Sequence, residues 1–365
     1  MTSSHGRGLL HLAAALDQEG AYDAGSYVER ARLAERGGLD FVTLGDTFAR
    51  PGPDALAVLS RIAPATARIG LVPTVTTTHT EPFHVQAAVA TLDWVSRGRA
   101  GWQIDVSTTE GEARLFGRRH AAPVDELWHE AAEVAEVADQ LWDSWEDGAE
   151  IRDVATGRFI DRDKLHHVDF TGTTFSVKGP SIVPRPPQGH PVRVIDATEG
   201  HARRTAARHA DVALVRVASA AQAAVVREQL RRTASEFGRN PDSLRVLASL
   251  LVDLGDGEHA AEPGHGGGGP RQSAQGPRYR GGPVDLAELI ATWHTNRVVD
   301  GFHLTPTEPR RDLERLVNGT VALLQHRGLF RTFYPGSTLR EHLGLARPAN
   351  RYGVTGATSW TGATS

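Results

Sequence analysis

Hydroxyl groups and one imidazole crowd into a short polar run between residues 74 and 81. Its polar members are Thr74, Thr76, Thr77, Thr78, His79, Thr80 and Glu81. The run follows the apolar residues 69–72, and Pro82 stands where a first-turn helical proline is favoured. A polar cluster at the C-terminal end of a buried strand, just before a helix, is typical of ligand sites in α/β folds. Four consecutive polar groups, Thr76–His79, exceed what capping alone needs, so we expect ligand contacts from this run while one or two of its members satisfy the backbone. His79 is either a ligand contact or a structural residue.

Three more polar residues lie at or near the ends of predicted strands. Asp46 directly follows the second strand and could either contact a ligand or cap the next helix. Ser107 lies just past the fourth strand, where it could hydrogen-bond a ligand or have no role. His303 lies within the eighth strand, where a lone histidine is more often a packed core residue than a catalyst. We keep His79 and His303 as the candidate catalytic residues.

The segment 196–200 (DATEG) follows the fifth predicted strand and enters a helix. Backbone N–H groups at such a helix start can hold an anion such as phosphate. The alternative is an ordinary strand-to-helix turn capped by Thr198.

Composition restricts the chemistry. The formal net charge of -4 gives no reason to expect nucleic acid or an anionic membrane as a partner. The chain has no cysteine, which excludes disulfides, thiolate nucleophiles and cysteine metal sites. No stretch is long and apolar enough for a membrane span, and the N-terminus lacks a clear signal-peptide layout, so we expect a cytoplasmic protein.

Strand and helix patterns alternate along the chain. The predicted strands are Leu9–Leu16, Asp40–Leu44, residues 69–72, Ala100–Val106, Pro191–Ile195, Val212–Val217, Leu244–Leu254 and Val298–Leu304. The predicted helices are Tyr27–Arg36, Pro53–Ile62, Phe83–Ser96, Pro123–Trp145, Gly200–His209, Gln222–Phe237, Val284–His294 and Arg310–Arg327. This count favours an α/β fold consisting of a single (β/α)8 TIM-like barrel; a doubly wound sheet with an additional domain is the alternative.

The domain organisation follows from composition. We predict a barrel over residues 1–345, interrupted by an ordered insertion at 146–181. Residues 255–283 are rich in Gly and Pro, which favours a flexible lid or loop. Residues 346–365 form a C-terminal tail whose end we expect to be frayed.

Several long blocks of the sequence carry a family resemblance. They include GLVPTVTTTHTEPFHVQAAVATLDWVSRGRAGWQ, FSVKGPSIVPRPPQGHPV and DLAELIATWHTNRVVDGFHLTPTEPRRDLERLVNGTVALLQHRG. The chain, from about Leu33 to Leu345, resembles the flavin-dependent monooxygenases of the bacterial-luciferase-like superfamily. The branch is that of nitrilotriacetate monooxygenase, the dibenzothiophene-sulfone monooxygenases and pristinamycin synthase.

The resemblance implies a two-component monooxygenase. A separate NAD(P)H:flavin reductase would supply FMN as FMNH2, which reacts with O2 to a C4a-(hydro)peroxyflavin that oxidises a small organic substrate. Neither cysteine nor a metal is needed, and family members are commonly homodimers or homotetramers. The resemblance assigns cofactor contacts to Asp46, Thr76, Ser107 and Trp128, and to the pair Ala197 and Thr198 at the phosphate.

The sequence departs from the family pattern at several of these contacts. Strand four reads Trp102 to Ser107 as WQIDVS, which introduces the carboxylate Asp105. Trp128 replaces a family tyrosine, and strand five ends with Asp196, Ala197 and Thr198 in place of paired serines. Two alternatives therefore stay open. One is a divergent binding or partner subunit with weak or lost flavin binding, and the other is an F420-dependent oxidoreductase.

Overall fold

The computed structural model describes residues 10–255, 257 and 269–353. Its strands are β1 (His11–Ala15), β2 (Phe41–Leu44), β3 (Gly70–Thr76), β4 (Gly101–Asp105), β5 (Glu150–Asp153), β6 (Arg158–Ile160), β7 (Phe170–Thr171), β8 (Ser176–Val177), β9 (Val192–Asp196), β10 (Val212–Val215), β11 (Arg245–Asp253), β12 (Arg271–Ser273), β13 (Gly276–Arg280) and β14 (Gly301–Pro306). Its α-helices are α1 (Ala24–Arg36), α2 (Ala55–Ile62), α3 (Pro82–Ser96), α4 (Glu110–Phe116), α5 (Val124–Asp143), α6 (Gly200–His209), α7 (Ala220–Glu236), α8 (Pro283–Thr295), α9 (Pro309–Arg315), α10 (Ala322–His326) and α11 (Leu339–His342).

Within the described residues, eight parallel strands close into a barrel. Their order is β1, β2, β3, β4, β9, β10, β11 and β14, and β14 pairs with β1 to complete the ring. Each of these strands is itself a mostly apolar run of buried residues, as expected of parallel strands covered on both faces. The (β/α)8 barrel predicted from the sequence is therefore confirmed.

One end of the barrel is closed by the C-terminal helix α11. Leu339, at its start, packs against the first residues of β3 and β4, where a Cβ on Gly70 would approach Leu339 to 2.6 Å. Phe41, Val72 and other strand residues fill the interior together with Leu339, Leu343 and Leu345. Because this plug covers the N-terminal ends of the strands, the opposite end is the one that can hold a ligand.

Two segments differ from the sequence-based expectation. Helix α4 follows β4 and was not predicted. In the Gly/Pro-rich segment 255–283, β12 and β13 form an antiparallel hairpin whose second strand pairs with β11, so residues 271–280 are not the flexible loop expected from composition. The carboxyl end of β11 continues beyond the barrel and offers the backbone groups that order this hairpin. Residues 256 and 258–268 lie outside the described residues.

The insertion and the tail contact each other. Residues 146–181 form the hairpins β5–β6 and β7–β8. Arg347, in the predicted tail, makes two hydrogen bonds of 2.8 Å to Asp147. The tail residues predicted to be frayed, 354–365, lie outside the described residues. No helix in the described part of the chain is long and apolar enough to cross a membrane.

Candidate active site

Three hydroxyl groups connect the ends of β3 and β4. The Thr76 and Ser107 hydroxyls lie 3.1 Å apart, and the Ser107 N–H donates to Thr78 Oγ1 over 3.1 Å. By contrast, the hydroxyls of Thr77 and Thr80 donate to backbone carbonyls, that of Thr77 to Asp105 at the end of β4 and that of Thr80 to Thr76 in the same turn. The structure thus brings Thr76 and Ser107 together, as their positions after neighbouring parallel strands require. It also divides the threonine run into ligand-facing candidates and backbone-satisfying residues.

His79 has an unusual environment. Its backbone adopts the left-handed conformation with φ of 67°, which is uncommon for a residue other than glycine. The side chain is only 8% exposed and stacks on the Phe116 ring, with the ring centroids 5.0 Å apart. Neither ring nitrogen has a hydrogen-bond partner in the described part of the chain. Burial lowers the pKa of His79, and the positive charge of Arg119 lowers it further, so the imidazole is neutral at pH 7.

A cavity of about 410 Å³ lies against His79. Its walls are lined by Asp46, Thr47, Phe48, Asp54, Leu56, Thr74, Val75, Thr76, His79, Thr80, Glu81, His84, Val85, Ala88 and Phe116. The cavity is mostly apolar, and its polar groups lie along the end of β3, after β2, and at the starts of α2 and α3. A buried polar side chain without a partner costs free energy, so the unpartnered imidazole beside this cavity makes His79 a candidate ligand-binding group.

Asp46 joins Thr76 and His79 in the lining of this cavity. Its carboxylate accepts the Ala55 N–H over 3.0 Å, so it also stabilises the start of α2. Burial raises its pKa, and the nearby carboxylate of Asp54 raises it further. Both roles considered for Asp46 from the sequence, helix capping and a place at a ligand site, are compatible with this position.

Two carboxylates and a guanidinium lie near one another at the ligand-binding end of the barrel. Asp105 and Asp196 end β4 and β9, which are adjacent strands. Arg216 forms an ion pair with Asp196. Asp105 has no such cation partner among the described residues. Burial and the negative charge of Asp196 raise the pKa of Asp105 to about 6.

His303 lies inside the barrel, below these groups. One ring nitrogen is 2.8 Å from the Thr43 hydroxyl and the other is 3.0 Å from the Ser249 hydroxyl. Burial lowers its pKa to about 4, so it is neutral at pH 7. Since both nitrogens are already engaged, the geometry favours a packed structural histidine, and His303 does not line the cavity with His79.

The predicted phosphate contacts form a second group. Trp128 lines a groove of about 470 Å³ between α5 and α6, together with Gly200, His201 and Arg204. Ala197 is fully buried in the apolar cluster that also contains Trp128, so it can offer only backbone groups.

Thr198 contributes to this region without capping the helix. Its hydroxyl accepts the Arg216 N–H over 2.8 Å, and the N-cap of α6 is Glu199, whose side chain makes no capping bond. The alternative considered from the sequence, a strand-to-helix turn capped by Thr198, is therefore wrong.

Phe116 and Arg216 were missed by the sequence reasoning. Phe116 ends α4, and a signal for that helix was available: Thr109 and Glu112 form a capping box, the spacing of which is readable from sequence. No local pattern indicates that Arg216 pairs with Asp196, because Asp196 ends β9 whereas Arg216 follows β10.

Comparison with known proteins assigns the family. The sequence model of the luciferase-like monooxygenase family matches residues 7–281, well over half of the chain. The chain belongs to the luciferase-like monooxygenase family. The flavin-dependent monooxygenase class predicted from the sequence is thereby confirmed.

The relatives cover nearly all of the chain. N-acetyl-S-(2-succino)cysteine monooxygenase of Bacillus subtilis (strain 168) is 31% identical over 89% of this chain and 91% of its own. Nitrilotriacetate monooxygenase component A of Aminobacter aminovorans is 32% identical over 90% and 92%. The solved structure of a riboflavin lyase, with modified FMN and riboflavin, superposes with a TM-score of 0.83 over 94% of this chain and 97% of its own. Because the two sequences are only 21% identical, this likeness supports the fold alone.

Proposed function

We propose that this family member is a two-component monooxygenase that uses reduced FMN, supplied by a separate flavin reductase, to oxidise a small organic substrate. The observation that carries the proposal is His79, a buried neutral imidazole with two unpartnered nitrogens, placed beside an apolar cavity and a row of hydroxyls. Bound reduced FMN would supply the electrons with which O2 is activated for transfer of one oxygen atom.

The ring end of the cofactor fits the hydroxyl-lined strand ends. Thr76 and Ser107 offer groups that can both donate and accept hydrogen bonds, as the polar edge of an isoalloxazine ring requires. Phe48 and Phe116 contribute apolar walls to the adjoining cavity, which would disfavour water beside the ring. Neutral His79 can accept a proton at one ring nitrogen and donate from the other.

The phosphate end fits the start of α6. This helix has ten residues and no side-chain cap, so its first N–H groups and its dipole favour an anion. Arg204 lines the same groove and adds positive charge there, while His201 in that groove is hydrogen-bonded to the carboxylate of Asp125. The carboxylate of Asp196 would repel a phosphate, but its ion pair with Arg216 offsets that charge. The same pair weakens the argument for lost flavin binding that the substitutions in the sequence suggested.

Two names among the similar proteins support the cofactor and the partner. One relative is called component A of nitrilotriacetate monooxygenase, and one structural neighbour holds a modified FMN. We extend both features to this chain as part of the proposal. Its homo-oligomeric state and its cytoplasmic location stay predictions.

Anaerobic titration tests the proposal. The purified chain is titrated with reduced FMN, with oxidised FMN and with F420, and binding is followed by flavin fluorescence and by calorimetry. We expect saturable, low-micromolar or tighter binding of reduced FMN and weaker binding of the other two. Preferential binding of F420 would replace the proposal with the oxidoreductase alternative.

A further inference from the structure

The charges around the cavity beside His79 have one sign. Its lining contains the carboxylates Asp46, Asp54 and Glu81. No lysine or arginine from residues 10–255, 257 or 269–353 is part of that lining. Glu81 and Asp54 are exposed at the rim, whereas Asp46 is half-buried. A negative potential at an apolar pocket attracts cationic groups and repels anionic ones.

The positive charges of Arg119 and Arg118 reach His79, and Arg50 lines an adjoining cavity with Asp46, but none of the three lines the cavity beside His79. Arg119 influences His79, but its guanidinium makes a bidentate ion pair with Glu130, with both hydrogen bonds 2.7 Å long. Glu112 adds a further carboxylate close by, where it accepts a hydrogen bond from the Thr47 hydroxyl over 3.3 Å. The lining of the cavity therefore keeps its negative character.

His79 is compatible with a cationic ligand. Its imidazole is neutral and adds no positive charge to the cavity wall, whereas an imidazolium would repel an ammonium group. The remaining walls are apolar and come from Phe48, Leu56, Val85, Ala88 and Phe116. Such walls bury a hydrocarbon or aromatic body, and the half-buried carboxylate of Asp46 lies where a charged end could pair with it.

We propose that this cavity binds an organic amine, with its apolar body between Phe48 and Phe116 and its ammonium group paired with Asp46. The assignment rests on the proposed function in one respect: it takes this cavity to be the substrate pocket of the monooxygenase. It predicts a substrate class opposite in charge to a polycarboxylate such as nitrilotriacetate, the compound named for one of the relatives.

Three ligands with one skeleton test the assignment. We would measure the binding of 3-phenylpropylamine, 3-phenylpropanol and 3-phenylpropionate to the full chain at pH 7 by calorimetry, both without flavin and with reduced FMN under anaerobic conditions. The amine should bind at least tenfold more tightly than the alcohol, and the propionate more weakly than both.

Three variants test which residue causes the preference for the amine. Asp46→Asn keeps an oxygen that can accept the Ala55 N–H, so the fold of α2 is retained while the charge is removed. In this variant the preference for the amine over the alcohol should disappear. Ala88→Phe should fill the cavity and weaken all three ligands. Glu126→Gln, an exposed carboxylate on α5 that lines neither this cavity nor the groove between α5 and α6, should leave the preference unchanged.

The outcomes separate this inference from the proposed function. Tighter binding of the propionate, no binding of any of the three ligands, or an amine preference that survives Asp46→Asn would overturn the amine assignment. A chain that prefers the amine and loses that preference in Asp46→Asn, yet binds no reduced FMN, would support the amine pocket and refute the monooxygenase proposal.

Discussion

The two ends of the candidate cofactor site are constructed differently. At the ring end, Thr76, Ser107 and His79 are buried and hold their positions through hydrogen bonds, ring stacking and a left-handed backbone. At the phosphate end, a helix start is combined with charged side chains that reach solvent, among them Arg216, whose side chain is 52% exposed.

This difference explains where the sequence can depart from the family pattern. A buried polar group cannot be replaced without leaving its partners unsatisfied, which costs about 1–3 kcal/mol. Charges that reach solvent are screened, and one arrangement can substitute for another at small cost. The substitutions at Trp128, Ala197 and Thr198 lie at the end where, in the function we propose, backbone N–H groups and exchangeable charges would hold the phosphate.

The largest effect at the ring end is expected for His79→Asn. Asparagine is chosen because it tolerates the left-handed backbone of this position. We expect the reoxidation of bound reduced FMN by O2 in the presence of substrate to slow by about 10²-fold, the low end of what a positioned proton-transfer group contributes. The affinity for reduced FMN should change little. Stopped-flow absorbance and anaerobic titration measure the two effects, with His326→Asn on an exposed helix position as the control. Equal losses in both measurements would make His79 a binding residue only.

Asp105→Asn tests the region between the two ends. The pKa of Asp105 is raised to about 6 in the folded chain, above its value of 3.8 when unfolded, so its contribution to stability is complete below pH 3.8 and is lost as the pH rises through 6. At pH 7 the variant should therefore be more stable than the native chain, by on the order of 2 kcal/mol. The gain should shrink as the pH falls towards 4.

Denaturant unfolding at pH 4.5 and pH 7 checks this, with the exposed Glu126→Gln as a control. A gain that is equal at both pH values would show that Asp105 does not carry the pH dependence.

Arg216→Ala tests whether the phosphate end of the site contributes to the affinity for reduced FMN. Removing the guanidinium leaves the carboxylate of Asp196 without its ion-pair partner. We expect the affinity for reduced FMN to fall about tenfold, or about 1.4 kcal/mol, because the residue is half exposed and its charge is partly screened. The affinity for reduced riboflavin, which has no phosphate, should stay close to that of the native chain. Arg310→Ala on α9 serves as the control. Equal weakening for both flavins would place the effect outside the phosphate end.

Thr76→Val should have the smallest effect. It removes one hydroxyl from the pair with Ser107 while keeping the shape of the side chain. The net value of such a hydrogen bond is about 1 kcal/mol, so we expect the affinities for reduced FMN and for reduced riboflavin to fall together by about fivefold. Anaerobic titrations with both flavins give the comparison. An effect on reduced FMN alone would contradict the placement of Thr76 at the ring end.

The sequence predicted much of the fold because the barrel depends on local patterns. Apolar runs define the strands, and the rule that ligands lie at the C-terminal strand ends brings Thr76 and Ser107 together. Helix α4 was missed because seven residues with many charges give little periodicity, although its capping box was readable.

Contacts between distant residues could not be predicted in the same way. His303 lies 260 residues from Thr43 and 54 from Ser249, and Asp196 lies 20 residues from Arg216. These partners are set by strand register and barrel closure. No local sequence pattern distinguishes a histidine held by two hydroxyls, such as His303, from an unpartnered one such as His79.

The most direct test of the whole account is a pair of anaerobic titrations of the native chain, one with reduced FMN and one with reduced riboflavin. If both ends of the site hold the cofactor, reduced FMN binds with low-micromolar or tighter affinity and reduced riboflavin binds saturably but at least tenfold more weakly. The absence of saturable binding for both flavins would contradict the account, and equal affinity for both would show that no phosphate site is present at the start of α6.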